Sequence, residues 1–308
     1  MSDVKNLIMN KNGLVSMTLA KILLQLKVGD KIPTFSELSE VTSVARGTLQ
    51  NAMKLLTQTQ AITLESRGHM GTFLMQKNMK TLLEFANITS LVGVMPLPYS
   101  KHYEGLATGI ISAMENEYDI PVNMAYMRGA RKRLSLLIEA RYDFALVSKL
   151  AFLDSVDQGA DIRIVKEFGP KSYLSNHVIV LNDQNAKGIE DGMRIGIDND
   201  SIDQTNLTYH VTKDHKVKYI NLNYNQILNK LKSGEIDAAV WNEDEIRESY
   251  PGIRYIQIEG IDENDTIAVI VARNSATELC NLLTQLINVD TVLSIQHLVA
   301  HGKMIPRY

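Results

Sequence analysis

The chain has 308 residues, 45% hydrophobic and 22% charged, with a net charge of −3. That is too long for one ordinary core and has the balance of a water-soluble globular protein. One cysteine, Cys280, excludes an intramolecular disulfide and suits a reducing, cytoplasmic compartment. The polar start, Met1 to Lys11, has no apolar signal core, and the longest uncharged run, residues 85–100, is short and broken by Pro96 and Pro98. No secretion signal and no membrane span are expected.

The charge is unevenly divided. Residues 1–80 hold ten Lys/Arg and five Asp/Glu, a surplus of +5, which leaves −8 for the rest. A basic head on an acidic body points to an anionic partner for the head alone.

In chain order, Leu14, Met17, Leu19, Ile22, Leu23 and Leu26 recur at helical spacing and predict a first helix from about Leu14 to Leu26. Gly29-Asp30 is a stop and turn signal. A second helix follows over about Thr34 to Glu40, with Thr34 as N-cap and Glu37 three residues on completing a capping box. Thr42-Ser43 supply the next turn. A third helix from about Ala45 to Gln58 presents Leu49, Ala52, Met53, Leu55 and Leu56 to a core, and Arg46, Thr48, Gln50, Asn51 and Lys54 on its other face. Ile62-Thr63-Leu64 and Thr72-Phe73-Leu74 read as short strands around Arg67-Gly68-His69-Met70-Gly71, whose glycines permit a tight tip.

Reach gives this arrangement its chemistry. A helix in a major groove makes contacts chiefly through its N-terminal turn. Arg46 suits phosphate or guanine, the Thr48 hydroxyl suits phosphate, and Gln50 and Asn51 suit paired hydrogen bonds to adenine. Arg67, Gly68 and His69 would follow the backbone or minor groove. The segment over roughly residues 12–76 resembles the GntR-type winged-helix domain. The shared residues are Gly29-Asp30, Ile32-Pro33, Glu37-Leu38, Arg46, Thr48 and Gly68 through Phe73. The resemblance implies that Arg46, Thr48, Gln50 and the wing around Gly68 face double-stranded DNA. Ser36, Gly47 and Gln50 depart from that family's usual Arg, Thr or Ser, and Arg, which implies fewer phosphate contacts.

Gln76 to Ala86 reads as a short amphipathic connector helix, either a dimer contact or a linker packed on its own chain. From Leu91 onward short β-rich runs alternate with helical patterns, which predicts βαβ units and a mainly parallel sheet. The pattern then repeats. Asp143 aligns with Asp237, Leu134 with Leu228, Leu137 with Leu231 and Ser148 with Asn242, each pair 94 residues apart. Two similar lobes follow, crossed once by Tyr173 to Leu181 and again by Ile267 to Val271. A winged helix over residues 1–77, a linker helix over 78–87 and a two-lobed α/β body over 88–308 are expected. Lobe one takes about 88–175 and 265–308, and lobe two about 182–262.

Ligands of open α/β sheets sit beyond the carboxyl ends of the strands. That rule nominates Tyr99, Ser100 and Lys101 after the first strand, then Arg128, Ser148, Ser201 with Thr205, and Asn242. This set suits a small polar effector such as a carboxylate or amino-acid-like anion. Residues 88–300 resemble the type 2 periplasmic-binding-protein fold used as an effector domain by bacterial regulators. The strongest pieces are Arg141 through Ser148 and Ser233 through Val240. The whole order, winged helix then binding-protein body, resembles the YhfZ-type transcriptional regulators, which implies a DNA-binding homodimer responsive to an effector.

Other chemistries have thinner support. His297 and His301 share i, i+4 spacing but no neighbouring carboxylate completes a metal site. Cys280 beside Leu279 and Leu282 reads as a core residue. No phosphate loop, dinucleotide glycine pattern or nucleophile elbow occurs, so no cofactor is expected. The alternative reading is an enzyme of lyase or synthase type, for which His102 and Glu104 are the nearest acid–base candidates.

Overall fold

The computed structural model describes residues 11–308; the polar stretch before Lys11 lies outside the described residues. The chain divides into two units. One is the segment up to Leu91 together with Met114–Pro121, and the other is Val92–Ala113 together with Val122–Tyr308.

The first unit opens with α1 (Lys11–Gln25), α2 (Phe35–Thr42) and α3 (Arg46–Gln58). Thr34 caps α2 as its sequence demands: the Glu37 N–H donates to Thr34 Oγ1 at 3.3 Å and the Thr34 N–H donates to the Glu37 carboxylate at 2.6 Å. Ser43 then takes a left-handed φ of 54°, which turns the chain sharply into α3. Leu49, Ala52, Met53 and Leu56 are buried at i, i+3, i+4 and i+7. Leu55 was assigned to that face from sequence but lies off the stripe, 41% exposed.

The hairpin of β1 (Ile62–Ser66) and β2 (Thr72–Lys77) closes through a single 3₁₀ turn at Gly68–Met70. Gly71 needs its φ of 104°, and any side chain there would also run into Lys31. The half-buried Lys77 donates to the carbonyls of Leu24 (3.1 Å) and Leu26 (2.6 Å), at the open end of α1. Burial pushes its pKa down. The connector helix α4 (Met79–Phe85) buries Leu82 and Leu83 and packs on α1 of its own chain.

Gly47 occupies the first turn of α3 with nothing within 4 Å of an added Cβ. Gly47→Ala is therefore expected to stabilise the first unit by about 0.5–1 kcal/mol through helix propensity alone. Urea unfolding followed by helical circular dichroism measures it, and an unchanged or lower midpoint would contradict the open site.

The second unit holds two five-stranded sheets. Lobe one uses β3 (Leu91–Met95), β4 (Val122–Tyr126), β5 (Phe144–Ser148), β6 (Ile162–Glu167) and β12 (Ala268–Arg273), in the order β4-β3-β5-β12-β6. Lobe two uses β7 (His177–Leu181), β8 (Arg194–Ile197), β9 (Lys218–Asn221), β10 (Ala238–Asn242) and β11 (Arg254–Gln257), in the order β11-β7-β10-β8-β9. The sheets are mixed, not mainly parallel. β3–β5, β8–β9 and β8–β10 are parallel, whereas β12 is antiparallel to β5 and β6, and β7 is antiparallel to β10 and β11. The strands entering by crossing from the other lobe need no right-handed helical return, so they insert in the opposite direction.

The internal repeat has a physical counterpart. Asp143 accepts from the Val92 N–H at 2.8 Å and its own N–H donates to the Val92 carbonyl. Asp237 does the same to Arg194 at 2.6 Å, with an added ion pair to the Arg194 guanidinium. Each aspartate clamps the start of its lobe's first parallel strand. Ser148 and Asn242, also paired by the repeat, both cap the next helix: α7 (Lys149–Asp157) through Ala151 N–H and α10 (Glu243–Ser249) through Asp244 N–H.

Helices α6 (Ala130–Ile138), α8 (Ile202–Thr212), α9 (Tyr224–Lys232), α11 (Thr277–Leu286) and α12 (Val289–Ala300) complete the unit, together with α5 (Lys101–Tyr118) as far as Ala113. α7, β6, α10 and β11 were not anticipated. Cys280 is buried in α11, with Sγ 3.6 Å from the Arg273 carbonyl. No helix among the described residues is long and apolar enough to cross a membrane.

Candidate binding sites

On α3, Arg46, Gln50 and Asn51 are exposed and Thr48 is half-buried, opposite the buried stripe. Gly68 and His69 are exposed on the wing turn. Arg67 is exposed but engaged: its Nε donates to Glu65 at 2.9 Å, and its guanidinium lies 4.6 Å from the Phe73 ring centre. Among the described residues the Arg46 guanidinium at the helix start has no ion-pair partner, while that of Arg67 at the wing is stiffened.

In the second unit, the carboxyl ends of the strands meet around a small cavity of about 60 Å³. That is room for on the order of four waters. Tyr99, Arg128, Ser201 and Asn242 line it. Ser100, Lys101, Ser148 and Thr205 sit beside it. Ser100 is 2% exposed and, like Ser148, spends its hydroxyl on a helix N-terminus. Lys101 points outward, and its backbone N–H donates to Glu248 at 3.0 Å. The Thr205 hydroxyl is held by the Asp198 carbonyl at 3.0 Å.

Sequence reasoning missed the innermost members. Arg133 lines the cavity at 3% exposure, donating from Nη1 to the Met127 carbonyl (2.8 Å) and from Nη2 to the Tyr173 hydroxyl (3.2 Å). Its signal was legible: Ala130, Arg133, Leu134 and Leu137 form one buried helical stripe, and a guanidinium inside such a stripe needs a reason. Asp203 lines the cavity at 5% exposure and accepts from the Ser148 hydroxyl at 2.5 Å. Nothing in the local pattern marked it, because α8 is buried almost all round and its residues alternate without an apolar face. His177 also lines the cavity and is 2.7 Å from Asp265. Tyr224 stacks on Trp241 with ring centres 3.7 Å apart, and Tyr99 leans over Tyr224 at 5.5 Å.

Two larger hollows, about 470 Å³ beside Tyr250 and about 540 Å³ beside His297, contain none of Arg128, Asp203 or Tyr224. His102, in the second of these, bonds the Lys171 carbonyl, and Glu104 accepts from the Tyr308 hydroxyl; neither lines the strand-end cavity. Among the described residues no cluster of three His, Cys, Asp or Glu is placed to hold a metal ion.

Burial pushes the Asp203 carboxyl up to about 6, with His177, Ser148 and Arg133 restraining the rise. Burial pushes Glu245 up to about 7, against the hydrogen bond from the Tyr224 hydroxyl. A carboxyl whose folded pKa exceeds its unfolded value binds its proton more tightly in the native chain, so stability falls as pH rises between the two values. For Asp203 that interval runs from 3.8 to about 6, and for Glu245 from 4.5 to about 7. The second unit is expected to unfold at a higher urea midpoint at pH 5 than at pH 7.5, and Asp203→Asn should flatten the difference. The lone tryptophan, Trp241, reports it by fluorescence; a higher midpoint at pH 7.5 would contradict the burial of these charges.

The family model described as the YhfZ C-terminal domain matches residues 78–308, and a helix-turn-helix domain model matches residues 27–74. The protein YhfZ of Escherichia coli strain K12 is 32% identical over 97% of this chain and 98% of its own. The crystal structure of YhfZ from Shigella flexneri superposes with a TM-score of 0.63 at 30% identity, covering 75% of this chain and 98% of that one. The aliphatic sulphonate binding protein SsuA of Escherichia coli shares the fold, with a TM-score of 0.53 at 16% identity over 69% of this chain and 74% of its own. The chain therefore belongs to the YhfZ family, and joins a helix-turn-helix module to an α/β body of the periplasmic-binding-protein fold.

Proposed function

We propose that the chain is an effector-responsive transcriptional regulator acting in the cytoplasm. The single observation that carries this reading is the polar, solvent-facing start of α3, in a segment matched by a helix-turn-helix model. Arg46, Thr48, Gln50 and Asn51 would read the major groove, with Gly68 and His69 on the wing beside the backbone and Arg67 stiffened there by Glu65. A homodimer fits the reading, because half-sites recur about 34 Å apart along one face of duplex DNA. The strand-end cavity would take a small polar effector. Its present volume admits only a few waters, so the lobes must part to load it, and the effector acts by its different affinity for the two arrangements. Tyr99, Arg128, Ser201 and Asn242 would meet the effector directly. Ser100, Lys101, Ser148 and Thr205 would shape the loops that carry them.

Selection of duplexes from a random library by the purified full chain tests the first half of the reading. The expected result is an enriched, two-fold symmetric motif whose binding weakens steeply with salt. Retention of no duplex at 50 mM salt would remove the regulatory reading. A metabolite panel that shifts both the melting temperature and the operator affinity tests the second half.

One observation favours a second reading. Asp203 and the His177–Asp265 pair are buried titratable groups lining or adjoining a cavity, which suits acid–base work of lyase or synthase type. Turnover of any effector that shifts the melting temperature would establish it.

A further inference from the structure

We propose that the strand-end cavity takes a small molecule carrying both a protonated nitrogen and a hydrogen-bond-accepting oxygen, with Asp203 receiving the nitrogen. The proposal rests on the effector reading above and assigns its chemical class.

The charges around the cavity have unequal freedom. The Arg128 guanidinium is spent on two carboxylates, at 3.2 Å from Asp198 and 3.1 Å from Asp200. His177 is paired with Asp265. Arg133 directs Nη1 and Nη2 to the Met127 carbonyl and the Tyr173 hydroxyl. Asp203 is left with a neutral hydroxyl as its hydrogen-bond partner, although it is 5% exposed. A buried carboxylate without an ion-pair partner is costly, and an arriving cation would remove that cost. An arriving dicarboxylate would bring further negative charge against the Asp203 carboxylate.

A second, independent observation concerns donors. The Asn242 side chain is 2% exposed and lines the cavity; its carbonyl oxygen caps α10, and its Nδ2 has no hydrogen-bond partner. The Arg133 Nε, at the same cavity, is likewise unpartnered. Buried donors of this kind call for an acceptor oxygen from outside. Tyr99 and Tyr224 add aromatic carbon to the lining.

The groups facing Asp203 set a second readout. They are the Ser148 hydroxyl, His177, Asp265 and Arg133, with Tyr103 and Tyr173 behind them. Burial raises the Asp203 pKa, so the carboxylate is present at pH 7.5 and largely protonated at pH 5.

The test uses three probes of equal length on the full chain at matched ionic strength: 1,4-diaminobutane, 4-aminobutanoate and succinate. Binding is read as a shift in the Trp241 melting temperature and by calorimetric titration. Both amines are expected to raise the melting temperature at pH 7.5, 4-aminobutanoate more, and succinate not at all. In Asp203→Asn their affinity should fall at least tenfold. The unaltered chain at pH 5 should show a similar loss, which keeps the test sound if the variant folds poorly. Succinate binding as tightly as the amines, or amine binding that ignores both Asp203→Asn and pH, would overturn the assignment while leaving the effector reading in place. No shift from any of the three also overturns it; silence across the whole metabolite panel would remove the effector reading as well.

Discussion

Gly109→Ala should destabilise the second unit by about 1–3 kcal/mol, the range for forcing extra atoms into a packed interior. A Cβ at Gly109 would meet the Val292 backbone oxygen at 2.6 Å and the Val292 Cα at 3.0 Å. Gly105, one turn earlier on α5, would meet the backbone of Gln296 at 2.8 Å. The two glycines let α5 lie directly against the main chain of α12, and the obstacle is backbone, which cannot swing aside as a long side chain can. Alanine is the better helix former by about 1 kcal/mol, so an open site would give a gain. Gly47→Ala, at such an open site, and Gly109→Ala should therefore move in opposite directions. Urea unfolding followed by Trp241 emission decides the matter: a midpoint at or above that of the unaltered chain would show that α12 is not seated where the structure puts it.

Arg46→Ala is expected to weaken duplex binding by about 5- to 150-fold, the cost of about 1–3 kcal/mol for one well-placed guanidinium contact. The residue is exposed, begins α3 and has no Glu held against it, unlike Arg67. The salt dependence says what it touches. If Arg46 meets phosphate, the slope of log affinity against log salt should fall by about one and all sequences should suffer alike. If it meets a guanine edge, the slope stays and specificity relaxes at one position. The melting temperature of the second unit should not change. Affinity within twofold of the unaltered chain would place the DNA face elsewhere.

Much of the first unit was legible because its signals are local. The Thr34–Glu37 capping box, the Gly71 turn and the stripe through Leu49, Ala52, Met53 and Leu56 each depend on neighbours a few residues away. Leu55 failed because composition, not phase, had placed it inward. In the body, the repeat of Asp143 and Asp237 exposed the two lobes, since both clamp a strand in the same way. Strand direction was not legible, because β7 and β12 are delivered by crossings between lobes and obey no local rule. The loops at the cavity were found from strand ends, yet Ser100, Ser148, Ser201 and Asn242 all cap helices, a use that the same short polar residues serve anywhere. The residues with unsettled charge and donor needs, Asp203 and Arg133, lie on helices packed on several sides, where polarity and periodicity no longer correlate with exposure.

The strand order in lobe one has a consequence for biosynthesis. β12, from Ala268 to Arg273, lies between β5 and β6 inside its sheet, while every strand of lobe two falls within the continuous run from His177 to Gln257. As the chain leaves the ribosome from its N-terminus, lobe two has all its strands first, and lobe one waits with an open seam until Ala268–Arg273 has emerged. During that interval the hydrophobic edges of β5 and β6 are unshielded, which makes nascent lobe one the segment most in need of a chaperone.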